Sequence, residues 1–276
     1  MTDFIIQQIY INDVNKFNSN NHWINNIKPF DYIEQIEKCN TSKWIHLFER
    51  KYKKIIINDY YTIKWLLKAS IIYDFSKIFS NLFNDDLNDL IQKHISLFKD
   101  NIGYFVRSEH VSLKYGKHKL GPYFNLNQII ESVISCKDGH KPLNYGIEEL
   151  ILYLFEWKNI EPYNEFRVFV YNNKITAISQ QQLYQVYNIL DINNKLNLIV
   201  DYFNSTISKK INFMSSYIYD FAILENNDIL EPYFIEINPF GKEYGSGSAL
   251  FHWINDENIL YGKNNNEIYF RLVRFL

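Results

Sequence analysis

Of the 276 residues, 47% are hydrophobic and 17% aromatic, enough apolar surface for a substantial core and too much for a disordered chain. A formal net charge of -2 and a pI near 6.4 argue against a protein built to hold a nucleic-acid backbone, and two cysteines, Cys39 and Cys136, are too few for a disulfide framework. No run of about 18 uncharged apolar residues occurs, and the N-terminal MTDFIIQQIY has no basic leader region, so the expectation is a cytoplasmic protein with neither a membrane nor a nucleic acid as partner.

Residues 1–99 have a mainly helical texture, with apolar residues three and four apart in Trp44-Ile45-Leu47-Phe48, Ile63-Leu66-Leu67-Ile71 and Ile78-Leu82-Phe83. Asp31 and Thr41-Ser42 are the candidate caps, and KYKKIIIN, residues 51–58, reads as a short strand after a charged turn. The Trp, Tyr and Phe side chains of this region are expected to fill a core. Residues 89–110 read as a helix, a turn at Asp100-Asn101 and a strand ending in Arg107. The basic run Lys114–Lys119 is either a mobile loop over phosphates or a solvated turn.

Leu126–Cys136 is an amphipathic helix pattern, followed by a polar loop. Arg167–Tyr171 and Lys174–Ser179 alternate around Asn172-Asn173, a hairpin signal that puts Arg167, Phe169 and Tyr171 on one face. From residue types alone, Arg167 serves either a strand-face salt bridge with Glu165 or an anion contact from a rigid strand. Gln181–Lys210 reads as a helical pair joining this hairpin to the next.

That next hairpin has Tyr217–Leu224 and Ile229–Ile237 flanking the turn cluster Glu225–Asp228. Glu236 and Asn238 are two positions apart, so strand alternation points both to one face, roughly 7 Å apart. Pairing with a two-residue bulge near Pro232 would lay Asp220 beside Glu236. Two carboxylates and an amide oxygen form a hard, all-oxygen set suited to Mg²⁺, and the alternative is a solvated acidic strand face. Gly241, Gly245 and Gly247 beyond this strand read as a tight turn. There is no GxxxxGK[ST] or GxGxxG to suggest a P-loop or Rossmann site, and the seven histidines show no zinc spacing.

FIEINPFG followed by LFHW, and the stretch from Ile147 to Gln180 with EFRVFV and AISQ, resemble the cell division cycle protein 123 family. In that family the corresponding strings have the forms LIDFNPFG with LFxW, and EFRCFVKxNKLIGISQ after a KW pair. The resemblance covers roughly residues 90–253 and implies an α+β, ATP-grasp fold, two lobes with the nucleotide between them. It implies residues 1–99 as a helical part of the N-terminal lobe, 100–155 as the rest of that lobe, and 156–276 as the C-terminal lobe. It further implies Mg²⁺ at Asp220, Glu236 and Asn238, with Glu236 replacing the family's Asp. Phosphate contacts fall to Arg107, at the family's Lys position, and to Arg167, with His110, Ser112 and Lys114 also at nucleotide-contacting positions. Glu156, Trp157 and Asn159 fall in the linker that meets adenine through its backbone, where Phe155 and Glu156 depart from the family's Arg and Lys. The implied role is an assembly factor for translation initiation factor 2 acting through its gamma subunit, with ATP and Mg²⁺ bound. Relatives of the fold imply two alternatives, a carboxylate-amine ligase working through an acyl phosphate and a nucleotide-binding scaffold without chemistry.

Overall fold

The computed structural model describes residues 3–19, 27–98, 101–144, 146–189, 191–227, 229–263 and 267–275. In chain order the elements used below are β1 (Phe4–Tyr10), α1 (Tyr32–Lys38), α2 (Thr41–Trp44), β2 (Tyr52–Ile57), α3 (Tyr60–Ser76), α4 (Asn84–His94), β3 (Tyr104–Arg107), α5 (Leu126–Ser135), β4 (Leu150–Glu156), β5 (Glu165–Tyr171), β6 (Lys174–Gln180), α6 (Ile192–Tyr202), β7 (Tyr217–Asn226), β8 (Ile229–Pro239) and β9 (Ile268–Arg274). The chain divides into two compact units, Glu49–Lys158 and the combination of Met1–Phe48 with Asn159–Leu276.

Glu49–Lys158 holds a three-stranded antiparallel sheet in the order β2-β4-β3. Its apolar face, with Ile55, Val106, Leu152 and Leu154 fully buried, forms one core with Leu66 of α3 and Ile129, Ile130 and Val133 of α5. Both helices start where short polar side chains take up orphan amides: Asp59 accepts from Thr62 N at 2.8 Å, and Asn125 from Gln128 N at 3.0 Å. Gly116 is required by a close approach, since a Cβ there would lie 2.5 Å from the carbonyl oxygen of Ser132. The strand expected at 51–58 is β2, and α5 occupies nearly the whole of its expected span. The pattern Ile78-Leu82-Phe83 is not a helix face: α3 stops at Lys77, which takes a left-handed φ of 58°, and a single 3-10 turn over Asn81–Phe83 precedes α4. Of the turn expected at Asp100-Asn101, Asp100 lies outside the described residues.

The other unit is built on a six-stranded sheet in the order β1-β9-β6-β5-β7-β8. β1 and β9 pair in parallel, as do β9 and β6, and the remaining pairs are antiparallel. Asn172 and Asn173, with φ of 48° and 59°, make the tight turn between β5 and β6. Residues 1–48, read from sequence as part of the N-terminal lobe, belong here: β1 edges the sheet, and Trp44 and Phe48 pack on Phe234 of β8 with ring centroids 5.3 and 4.0 Å away. The caps differ from expectation. α2 begins after Asn40, and Asp31, at the N-cap of α1, makes no side-chain cap bond and accepts instead from Tyr244 Oη at 2.9 Å. Between the hairpins there is no helical pair: residues 181–189 are irregular, and α6 runs through a π turn over Phe203–Ile207 into a last helical turn at Ser208–Lys210.

Not all aromatics of the first hundred residues fill a core. Trp44 and Trp65 are buried, whereas Phe30, Tyr61 and Phe75 are exposed. Trp44 is fully buried and donates Nε1 to Cys39 O at 3.2 Å. Trp44→Ala is therefore expected to lower stability by about 3–5 kcal/mol, with β7 and β8 amides losing protection in hydrogen exchange; a loss confined to amides of residues 49–158 would contradict this assignment.

Candidate functional site

The expected acidic pair forms. Asp220 on β7 lies directly opposite Glu236 on β8 in the strand register, and Asn238, two residues on, donates Nδ2 to Glu236 Oε1 at 3.4 Å. The bulge that permits this differs from the expected one: the register shifts between Asp220 and Phe221, so the extra residue is Ile235, not a pair near Pro232. A bulge of one residue suffices because the turn leaves Asn226 paired with Ile229; Asp228, in the turn cluster, lies outside the described residues.

Arg167 sits beside Asp220 in the register of β5 and β7. Its Nε and Nη2 donate to the two carboxylate oxygens of Asp220 at 2.8 and 2.7 Å, and Nη1 donates to Gly247 O at 2.8 Å. The salt bridge with Glu165 that spacing suggested is not made by this fork; Glu165 accepts from Gln182 Nε2 at 3.3 Å. Burial works to lower the guanidinium pKa, but Asp220, helped by Glu236 and Glu165, outweighs it, so Arg167 is held above its ordinary value and stays charged. Asp220 is itself 3% exposed and Arg167 is partly buried, so this is a bidentate pair largely withdrawn from water.

The pair belongs to a longer polar row. In register, Gln7 of β1 meets Arg271 of β9, Arg271 meets Ser179 of β6, and Ser179 meets Arg167, so the row runs on through Asp220 to Glu236 and has one member on every strand. The segment from Gly245 to Asp256, which contains LFHW, is tied to this row. Leu250 N donates to Ser179 Oγ at 3.1 Å, Arg271 Nη1 donates to Leu250 O at 3.1 Å, and Arg271 forms a second bidentate pair with Asp256 at 2.6 and 2.7 Å. One rung along, Phe169, Ala177 and Ile218 pack against Phe251 and Trp253 of the same segment. Arg271, Ser179 and Asp256 were not singled out from sequence. An arginine on the alternating strand Ile268–Arg274 was the available signal, but its partner is only visible once β9 is placed beside β6.

The remaining expected residues divide by unit. In Glu49–Lys158, Arg107 ends β3, is 2% exposed and forms a backbone bridge with Ser112, so those two are neighbours. His110 is exposed in the turn between them, where Val111 N donates to Ser108 Oγ at 3.2 Å. Lys114 is exposed, with Nζ 5.5 Å from the centre of the Tyr115 ring. The run Lys114–Lys119 is pinned to α5: Lys117 and His118 pair with Glu131 at 2.8 and 2.5 Å. Glu156 ends β4, and Trp157 N donates to Gly103 O at 2.8 Å. Asn159, exposed, begins the part of the chain that belongs to the other unit. Among the described residues no group of three or more His, Cys, Asp or Glu side chains is arranged to hold a metal ion; the expected set has only two carboxylates beside its amide. Nor is any described helix long and apolar enough to cross a membrane.

The D123 family model matches residues 125–275, more than half of the chain. The translation initiation factor eIF2 assembly protein of Candida albicans is 35% identical over 107 residues, 37% of this chain and 29% of that protein. Its namesake in Lodderomyces elongisporus is 29% identical over 157 residues, 55% of this chain and 38% of that protein, so the matched part spans well under half the length of either relative. The structure of C-terminally truncated Cdc123 from Schizosaccharomyces pombe superposes with a TM-score of 0.61 at 20% identity, covering 87% of this chain and 97% of the other. A second structure of Cdc123 from the same organism gives 0.59 at 20% identity, covering 86% and 96%. The fold is thus α+β of the ATP-grasp type, as the C-terminal motifs implied.

Two outcomes follow from the geometry. Removing Asp220 leaves a largely buried guanidinium uncompensated, so Asp220→Ala is expected to cost about 3 kcal/mol in urea unfolding, whereas Glu236→Gln, on the partly exposed end of the row, should leave the midpoint nearly unchanged. In the other unit, burial raises the Glu131 pKa, but its bonds to Lys117 and His118 outweigh this and hold it below the usual carboxylate range. A carboxyl depressed on folding stabilises above its unfolded pKa and loses that stabilisation as pH falls through the folded value. Glu131→Gln should therefore cost about 1 kcal/mol near neutral pH, with the difference from wild type vanishing on titration below the carboxylate range.

Proposed function

Because the chain belongs to the D123 family, we propose that it binds ATP with Mg²⁺ and serves in the cytoplasm as an assembly factor for translation initiation factor 2, acting through the gamma subunit. The observation that carries the nucleotide part is the Asp220–Glu236 cross-strand pair, fixed at the edge of the six-stranded sheet and flanked by a partly buried arginine. Its donors fit the ion: carboxylate and amide oxygens are hard ligands, and Mg²⁺ takes one or two protein carboxylates and leaves its other positions to water and phosphate.

In this reading Asp220, Glu236 and Asn238 hold the cation, which neutralises phosphate charge when bound. Arg167 uses its fork to keep Asp220 oriented and retains N–H groups on Nη1 and Nη2 for phosphate. On the resemblance, Arg107, His110, Ser112 and Lys114 are proposed as further phosphate contacts, and the backbone of Glu156–Asn159 as the adenine contact. The assembly role rests on the named relatives, which are assembly proteins of eIF2.

Titration calorimetry tests the nucleotide site. Wild type should bind Mg·ATP and lose affinity with EDTA, and Glu236→Gln should bind about ten- to a hundredfold more weakly. Equal affinity with and without metal would remove the cation role of the three residues. In parallel, a pull-down with the gamma subunit should succeed without stimulated ADP release. Robust ADP release from cell extract, with a mass gain on a peptide or metabolite and no gamma-subunit binding, would favour a carboxylate-amine ligase.

A further inference from the structure

Arg167 joins the carboxylate expected to hold the cation to the segment that follows β8. The guanidinium is planar and its donors point in fixed directions, so Nε and Nη2 on Asp220 and Nη1 on Gly247 O are set together. It cannot rotate away from the carboxylate and keep the carbonyl.

That segment is tethered unevenly. From Ser248 onward it is held independently of Arg167: Ser248 N donates to Ser19 O at 3.2 Å, Leu250 N to Ser179 Oγ, and Arg271 grips Leu250 O and Asp256. Before Ser248 the described bonds are fewer. Ser246 O accepts from Trp253 Nε1 at 2.8 Å, Gly247 O accepts from Arg167, and Gly245 is exposed with a φ of 80°. At the far end Ala249 has a φ of 50°, a left-handed conformation that a side chain disfavours. Gly245–Ser248 is thus bounded by two left-handed residues, with Arg167 as one of its few ties to the sheet.

We infer that a divalent cation on Asp220 is sensed by Arg167 and relayed to Gly247, so that occupancy of the cation site loosens the segment Gly245–Gly247. The inference rests on the cation reading of Asp220 and Glu236. A cation drawing on the Asp220 oxygens weakens their charge-assisted bonds to Arg167 and repels the guanidinium, and any displacement of the fork removes the Gly247 contact with it. The same displacement turns the freed N–H groups toward an anion arriving with the cation.

Hydrogen exchange on the full chain reads the relay. With Mg·ATP, and not with ATP and EDTA, amides in the peptide spanning 241–249 should exchange about fivefold faster, the change expected from loss of one hydrogen bond. Peptides spanning 250–256 should be unchanged. Arg167→Lys, which cannot hold Asp220 and Gly247 together, should show the faster rate with and without metal. Calorimetry on the same samples separates the failures: bound Mg·ATP with unchanged exchange at 241–249 overturns the relay alone, and absence of Mg·ATP binding overturns the relay together with the cation site.

Discussion

The largely buried ion pair between Arg167 and Asp220 is the constraint on which the larger unit depends. Two charges removed from water are costly, and the cost is offset only when geometry is good and the remaining donors are satisfied. Here both conditions hold: the fork is bidentate, and its outer nitrogen finds a backbone carbonyl. The pair also fixes register. A slip of one residue between β5 and β7 would turn Arg167 and Asp220 to opposite faces and would part Phe166 from Phe221 in the same way, so the ion pair and the aromatic pair specify the same alignment.

Extended across the sheet, the polar row explains why LFHW lies where it does. Arg271 with Asp256, Ser179 with Leu250 N, and Arg167 with Gly247 O are three polar anchors, while Phe251 and Trp253 bury their rings against Phe169 on the neighbouring rung. The polar contacts set position and the aromatic ones supply burial. Sequence resemblance in EFRVFV, AISQ and FIEINPFG thus falls on β5 and its neighbour β6, and on β8 across β7, all strands of one sheet.

What could be read beforehand was local. Asn172-Asn173 marks its hairpin because left-handed turns favour Asn, and Glu236 and Asn238 share a face because strands alternate, whereas the caps Asp59 and Asn125 were passed over for Asp31 and Thr41-Ser42. The acidic pair was legible because hairpin partners lie close in sequence, although the bulge was misplaced: a single extra residue at Ile235 leaves no compositional mark, whereas Pro232 does. Partnerships between distant strands were not legible. Spacing tied Arg167 to Glu165 two residues away, but its partner is 53 residues on, and Gln7 reaches Arg271 across 264. The N-terminal segment was misassigned for the same reason, since Trp44 and Phe48 show a helical period without showing that β8 receives them.

The pairing of β1 with β9 has a consequence for the order in which the molecule is made. Synthesis runs from the N-terminus, so Phe4–Tyr10 emerges well before Ile268–Arg274, its neighbour in the sheet among the described residues, and must wait for it. Meanwhile Glu49–Lys158, continuous in sequence, has all its strands and can collapse behind the ribosome. The late strand also caps β6, so until it arrives two lines of unsatisfied amides and carbonyls stand open to neighbouring chains. A protein whose relatives are named for another complex's assembly would itself spend part of its nascent life with an unclosed edge, exposed to mispairing for as long as Ile268–Arg274 is untranslated.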